Sequence, residues 1–315
     1  MDKVISFGEA LVDMLSTKIN DQSLEAQAPE AFIKFPGGAP ANVAAAIGKL
    51  GGRSYFAGKI GKDMFGDFIC DALVDAHVNI DYLHKTTEGK TALAFVSLDA
   101  EGERSFEFYR DRSADLLFQS EDFESGWFSE SGIFHFCSNT LTSKDIQKTT
   151  LAGIQYARGA GSVISFDVNV RHNLWPNGQA LLAPIWQCIE QADVIKVSVE
   201  ELDFIRDNQS ESACIENMFE MGVSLILVTD GGNPLRYYTP EYQGQIAPPE
   251  INMVDSTAAG DGFIGGFLYQ LAEQDASKQG ITKVIEETAG LERMLTFASH
   301  CGAHAAMHKL SLIHI

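Results

Sequence analysis

The sequence predicts a doubly wound α/β domain, a mostly parallel sheet flanked by helices, with a small β-sheet lid inserted in it. Three observations lead there. From residue 133 onward, short apolar runs alternate with helix-length segments. Polar residues recur just past the predicted strand ends: Asp13, Asn169 and Arg171, Lys196, Glu200 and Glu201, Thr229 and Asp230, Asp255 and Asp261. In a parallel sheet those ends share one edge, and that edge is where ligands bind. Finally, residues 14–36 and 91–112 break the rhythm with strand-like pieces of their own, which suits a flap that excludes water from a transfer site.

Residues 3–8 read as a buried first strand ending in a Gly turn, which puts Asp13 just past its carboxyl end. Residues 16–30 are polar and irregular, and 31–35 alternate as a strand. Gly37 and Gly38 then allow close backbone approach to a ligand. Asn42, able to donate to and accept from a hydroxyl, precedes a helix over 43–50. A second core strand covers 54–61, a helix 63–76, and a short strand or loop 78–83. Residues 91–98 and 104–109 form a hairpin around a turn at 99–103. The alternation that follows has strands at 133–136, 162–167, 194–197 and 224–229. Helices occupy 144–159 and 180–192, another begins at 200, and short strands lie at 235–238 and 244–247.

The stretch from 254 to 263 reads Val-Asp-Ser-Thr-Ala-Ala-Gly-Asp-Gly-Phe and leads into helical spacing over 263–271. The small residues Ala258, Ala259 and Gly260 let the backbone come close to a ligand. Their N–H groups at a helix N-terminus make an anion site. Asp261 sets a carboxylate beside it, and an anion cradle next to a general base is the minimal kit for phosphoryl transfer to a hydroxyl. A small-residue turn with Asp261 as a helix cap explains this stretch equally well in isolation. The polar residues gathered on the same sheet edge favour chemistry.

Composition narrows the partners. The chain has 315 residues with a net charge of -20, which argues against nucleic acid and anionic membranes. It leaves room for ATP, because N–H groups, a lysine and Mg²⁺ can hold phosphates on an acidic protein. The five cysteines are scattered without a CxxC pair, so neither a zinc site nor a disulfide framework is expected, and reduced thiols point to the cytoplasm. The N-terminus makes a poor signal peptide, and no apolar run approaches a membrane span. A nicotinamide oxidoreductase is excluded, since no GxGxxG follows the first strand.

Two signatures, Gly-Gly-Ala-Pro-Ala-Asn at 37–42 and Asp-Ser-Thr-Ala-Ala-Gly-Asp at 255–261, resemble those of the ribokinase-like (PfkB) family of sugar kinases. The stretches 108–115, 166–176 and 196–202 are similar to fructokinases within it. The resemblance spans nearly the whole chain and implies ATP-dependent phosphorylation of the 6-hydroxyl of D-fructose. It implies Asp261 as the base, with the amides of Ala258, Ala259 and Gly260 as the anion hole. Asp13, Gly37, Gly38 and Asn42 would hold sugar hydroxyls, Phe108 would pack over the sugar, and Arg171 would lie near the phosphoryl path. Lys196, Ser198, Glu201, Thr229, Gly231 and Gly232 would line the nucleotide. Glu201 would organise water around Mg²⁺, and Asp255 and Thr257 would serve a monovalent cation, usually K⁺. A homodimer through the lid is a further implication.

The chain departs from the family pattern in places. Ala258 stands where Gly is commonest, Ser198 where the NxxE element has Asn, and Gly231-Gly232-Asn233-Pro234 lacks the last Gly of GxxG. The tail from Met307 to Ile315 does not match the final strand and second Gly-Ala segment that complete the family's cation site and adenine pocket. Kinases for 2-keto-3-deoxygluconate, a riboside or ribose are the nearest rivals, with Arg104, Arg110 and Arg112 as candidate cations for a keto-acid carboxylate. A non-catalytic sugar- or nucleotide-binding protein is the rival of a different class.

Overall fold

The computed structural model describes residues 1–17, 30–98, 104–274, 276–308 and 313. Its main sheet has nine strands. These are β1 (Lys3–Phe7), β4 (Arg53–Gly61), β5 (Leu83–Thr86), β8 (Gly132–Cys137), β9 (Val163–Asp167), β10 (Val194–Ser198), β11 (Leu225–Thr229), β12 (Leu235–Tyr238) and β13 (Gln243–Ile246). They lie in the order β13-β12-β11-β10-β9-β8-β1-β4-β5. The pairings from β5 to β11 are parallel, and β12 and β13 are antiparallel additions at one edge. A separate four-stranded sheet has the order β3-β2-β6-β7. Its strands are β2 (Leu11–Ser16), β3 (Phe32–Gly37), β6 (Ala92–Leu98) and β7 (Arg104–Tyr109).

The period-2 alternation of the core strands divides the hydrophobic core into two layers. Ile5, Phe134, Ile164, Ile195 and Ile226 face one layer, while Val4, Ile133, Val163, Val194 and Leu225 face the other. The first layer is covered by α3 (Lys144–Gly159), α4 (Leu182–Ile189), α5 (Val199–Ile205) and α6 (Glu211–Glu220). The second is covered by α1 (Ala39–Lys49), α7 (Ala259–Gln274), α8 (Lys278–Glu286) and α9 (Thr288–Ala306). The helix α2 (Met64–Asp75) closes a third cluster with α1 and β4 around Ile69, Leu73 and Phe56. Gly265 sets the α1–α7 distance, since a Cβ there would lie 2.7 Å from the Cβ of Ala46. That close crossing brings the N-termini of α1 and α7 side by side. Among the described residues, no helix is long and apolar enough to cross a membrane.

Four expectations change. Asp13 lies inside β2, not in a loop beyond β1, because the chain turns at Gly8 and enters the small sheet by Leu11. The helix expected over 43–50 begins at Ala39, with Pro40 in its first turn where its missing N–H costs nothing, so Asn42 sits on the helix. Likewise α7 starts at Ala259, ahead of the apolar spacing that announced it, and takes Gly260 and Asp261 into its first turn. The helix expected over 180–192 contracts to α4. The sequence reading had no counterpart for α6, α8 or α9. The turn at 99–103, most of 16–30, and tail residues 309–312, 314 and 315 lie outside the described residues.

Phe136 and Phe166 stack at 4.8 Å between ring centroids at the centre of the first layer. Both are fully buried, so Phe166→Ala is expected to destabilise the fold by about 3–5 kcal/mol, read as a lowered denaturant midpoint.

Candidate functional site

The carboxyl ends of β1, β8, β9, β10 and β11 meet the N-termini of α1 and α7 along one edge of the main sheet. Asp261 is the buried centre of this region. Its Oδ2 accepts a 2.8 Å hydrogen bond from Asn42 Nδ2, so one helix start holds the carboxylate of the other. Burial raises the Asp261 pKa, while Asn42, Lys196 and Arg171 pull it back down. The Asn42 Oδ1 is buried without a partner among the described residues.

On the small-sheet side, the half-buried Asp13 carboxylate lies directly against the Cα of Gly37. A side chain at Gly37 would collide with it. Gly38, at φ 105°, packs on the backbone of Glu9 and Ala10, a conformation and an approach that only glycine accepts. Burial and the nearby Asp261 raise the Asp13 carboxyl to about 7. Phe108 is half-buried against Leu11, Ala92 and Ala94.

On the other side, Lys196 projects from β10 under the first turn of α7. A Cβ on Gly260 would meet its Nζ at 2.9 Å, so the missing side chain is what admits the ammonium. Lys196 forms a buried ion pair with Asp167 at the end of β9, at 2.9 and 3.0 Å. Burial opposes the charge on Lys196, but the carboxylates of Asp167 and Glu201 outweigh it and hold the ammonium above the usual lysine range. Glu201 and Ser198 make a capping box at the start of α5. The second Glu201 oxygen accepts from the Val170 N–H at 2.9 Å, fastening the loop after β9 to β10. Each Glu201 oxygen therefore keeps a second lone pair for a water, which fits a water-mediated role toward Mg²⁺. Arg171 is exposed, with its Nη1 turned back to the Val170 carbonyl at 3.3 Å. It reaches Asp261 through its field, without a hydrogen bond. Thr229 ends β11 beside Ser198, and Gly231 and Gly232 follow in an exposed turn with open space around them.

Residues 254–258 form the entry to α7. The N–H groups of Val254 and Asp255 both donate to the Ala306 carbonyl at the end of α9, at 2.9 and 3.1 Å. Asp255 Oδ1 accepts from the Thr257 N–H and hydroxyl at 3.0 and 2.7 Å. Ala258 stands at φ 61°, in the left-handed region, which accounts for glycine being the commonest residue of this position. The Ala259 N–H donates to Ser256 at 3.2 Å, so of the three amides named for the anion hole this one is engaged internally.

Asp13, Gly37, Gly38, Asn42 and Asp261 thus come together, and Lys196, Ser198, Glu201 and Gly260 form an adjoining group. Sequence reasoning missed Asp167, Glu9, Asp115 and Asn139, all buried around this edge. The signal was there for Asp167: it closes a strand whose other residues are apolar save Ser165, where an unpaired carboxylate is too costly to keep.

The pfkB family carbohydrate kinase model matches residues 1–311. Fructokinase-1 of Oryza sativa subsp. japonica is 37% identical over 307 residues, 97% of this chain and 92% of that protein. A crystal structure of fructokinase with bound ATP from Xylella fastidiosa is 41% identical with a TM-score of 0.93, covering 99% of this chain and 94% of that one. Fructokinase from Vibrio cholerae O395, solved with fructose, ADP and calcium ion, is 34% identical with a TM-score of 0.85, over 99% and 95% of the two chains. The chain belongs to the pfkB family of carbohydrate kinases and has the ribokinase-like fold.

Two outcomes follow from the strained and titrating positions. Ala258→Gly relieves the left-handed alanine and should stabilise the protein by about 1 kcal/mol, seen as a raised denaturant midpoint. Because folding raises the Asp13 pKa to about 7, its contribution to stability is complete at acid pH and is lost as pH rises toward about 7. Replacing Asp13 by Asn should flatten that part of the stability–pH profile measured by denaturation.

Proposed function

We propose that this pfkB-family kinase transfers the γ-phosphoryl group of ATP to the 6-hydroxyl of D-fructose, with Asp261 as the base. The observation that carries the reading is the buried Asp261 in the first turn of α7, oriented by Asn42. Its raised pKa brings it closer to neutrality, where a general base works best. The choice of fructose rests on the full-length similarity to fructokinases, including one solved with fructose and ADP.

The chain's own residues divide the task. Gly37, Gly38, Asp13 and Asn42 receive the sugar hydroxyls, and Phe108 covers the ring. Asp261 accepts the proton of the 6-hydroxyl as that oxygen bonds to the γ-phosphorus and the bond to the ADP oxygen breaks. The amides at the start of α7, with Lys196 beneath them and the field of Arg171, stabilise the charge on the transferring group. Lys196, Ser198, Thr229, Gly231 and Gly232 line the nucleotide. When bound with ATP, Mg²⁺ supplies charge neutralisation on the phosphates, and Glu201 holds its water shell. Asp255 and Thr257 serve a monovalent cation such as K⁺. The whole chain acts as one ribokinase-like domain in which the small sheet of β2, β3, β6 and β7 closes as a lid and pairs two copies in a cytoplasmic homodimer.

Asp261→Asn preserves the Asn42 contact geometry but removes the proton acceptor. Turnover should fall by about 10³-fold with ATP binding retained, since positioned general bases contribute on that order. A coupled ADP-release assay over fructose, ribose, a riboside and 2-keto-3-deoxygluconate, with and without K⁺, tests the reading. Fructose is expected to give the highest kcat/KM, and near-normal turnover by the Asn variant would remove Asp261 from the role.

A further inference from the structure

A second buried polar cluster lies beside the sugar-binding group. Arg110 follows Phe108 by two residues, at the end of β7, and is 6% exposed. Its Nε donates to Asp115 Oδ2 at 2.7 Å, and its Nη2 donates to the Asn139 carbonyl at 3.0 Å. Asp115 is held in turn by the Ser113 hydroxyl. Asn139 Nδ2 donates to Glu9 Oε1 at 2.8 Å. Glu9 joins the cluster to the sugar group, since its carbonyl would lie 2.5 Å from a Cβ on Gly38.

Two polar atoms of this cluster are buried without a partner among the described residues: Arg110 Nη1, a donor, and Asn139 Oδ1, an acceptor. Asn42 Oδ1, on the neighbouring helix start, is a third. Orphaned buried polar groups cost free energy unless a ligand satisfies them. A donor and an acceptor together match a hydroxyl, which can accept from one and donate to the other.

The charge balance decides what kind of ligand fits. A guanidinium alone at the base of a sugar pocket would attract a carboxylate bidentately. Here the Arg110 fork is already divided between a carboxylate and a carbonyl, and Glu9 stands behind it as a second acid. Burial raises the Glu9 pKa against the pull of Arg110. With Glu9 protonated the cluster is neutral, and with Glu9 ionised it is negative. In neither state does it offer net positive charge to an anion. Arg112 is exposed at the surface.

We propose that Arg110 and Asn139, balanced by Asp115 and Glu9, form a polar floor that accepts a neutral ketose hydroxyl and rejects a sugar acid. The inference deepens the kinase reading and rests on it. Arg110 and Asn139 touch the substrate, whereas Asp115 and Glu9 are positioning residues that set the charge.

The test compares kcat/KM for fructose and for 2-keto-3-deoxygluconate. In the wild-type protein the ketose is expected to win by about 10⁴-fold, the scale reached when one substrate matches a site's buried polar groups and the other leaves them unpaired. Asp115→Asn keeps an acceptor for Arg110 but frees its charge, and should shift the acid-to-ketose ratio toward the acid by about tenfold. A loss of packing alone would lower both substrates together. An unchanged ratio in a folded Asp115→Asn protein overturns the proposal, as does a wild-type preference for the acid. If that variant fails to fold, Arg110→Gln decides: KM for fructose should rise by about tenfold, and an unchanged KM overturns it. Absence of ADP release with any sugar would instead refute the kinase reading. The same ratio, read by calorimetric binding of fructose and the acid, then tests the floor by itself.

Discussion

The hydrogen bond from Asn42 to Asp261 is the contact on which the site depends. It joins residues 219 positions apart, and it exists because α1 and α7 cross closely enough at Gly265 for their first turns to touch. A carboxylate taken out of water without a donor would be held neutral by its surroundings. Asn42 supplies that donor and fixes which oxygen remains toward the cleft. A charged hydrogen bond of this kind is worth about 1.5–3 kcal/mol, enough to set the rotamer of the group it holds.

Around that contact the parallel sheet concentrates more charge than a core would tolerate. Asp13, Asp167 and Asp261 are all pushed upward by burial, and Lys196 is the cation buried among them. Breaking the Asp167–Lys196 pair would leave an uncompensated charge beside α7, which costs far more than the pair itself contributes. The pair therefore reads as a device for placing an ammonium under Gly260. The Glu9–Asn139–Arg110–Asp115 group repeats the pattern toward the small sheet, with one guanidinium held between acids. Two buried cations, Lys196 and Arg110, are each fixed by carboxylates.

The fold was legible where periodicity is strong. Ile133, Ile164 and Ile195 belong to short apolar runs of a kind that only a sheet buried on both faces explains, and the alternation with helices identified the doubly wound topology. Helix starts were misplaced by four residues at Ala39 and Ala259, because small residues carry no hydrophobic period and the Gly38 cap of α1 leaves no side-chain signal. The motif residues Asp13, Asn42, Gly260 and Asp261 could be named from sequence, and the fold brings them to one edge. Glu9 and Asn139 could not, since their meaning lies in a contact between residues 130 positions apart. Ala258 is the instructive middle case: the sequence marked it as unusual, and its φ of 61° gives the physical reason.

The central claim is that the α1–α7 junction directs a phosphoryl group to one hydroxyl of a neutral ketose. Phosphorus NMR of the product formed from ATP, Mg²⁺ and fructose tests it most directly. The account predicts a single phosphomonoester coupled to the two protons of the C6 methylene, appearing in step with ADP. A phosphoryl group at C1, or inorganic phosphate released with no sugar ester, would contradict it.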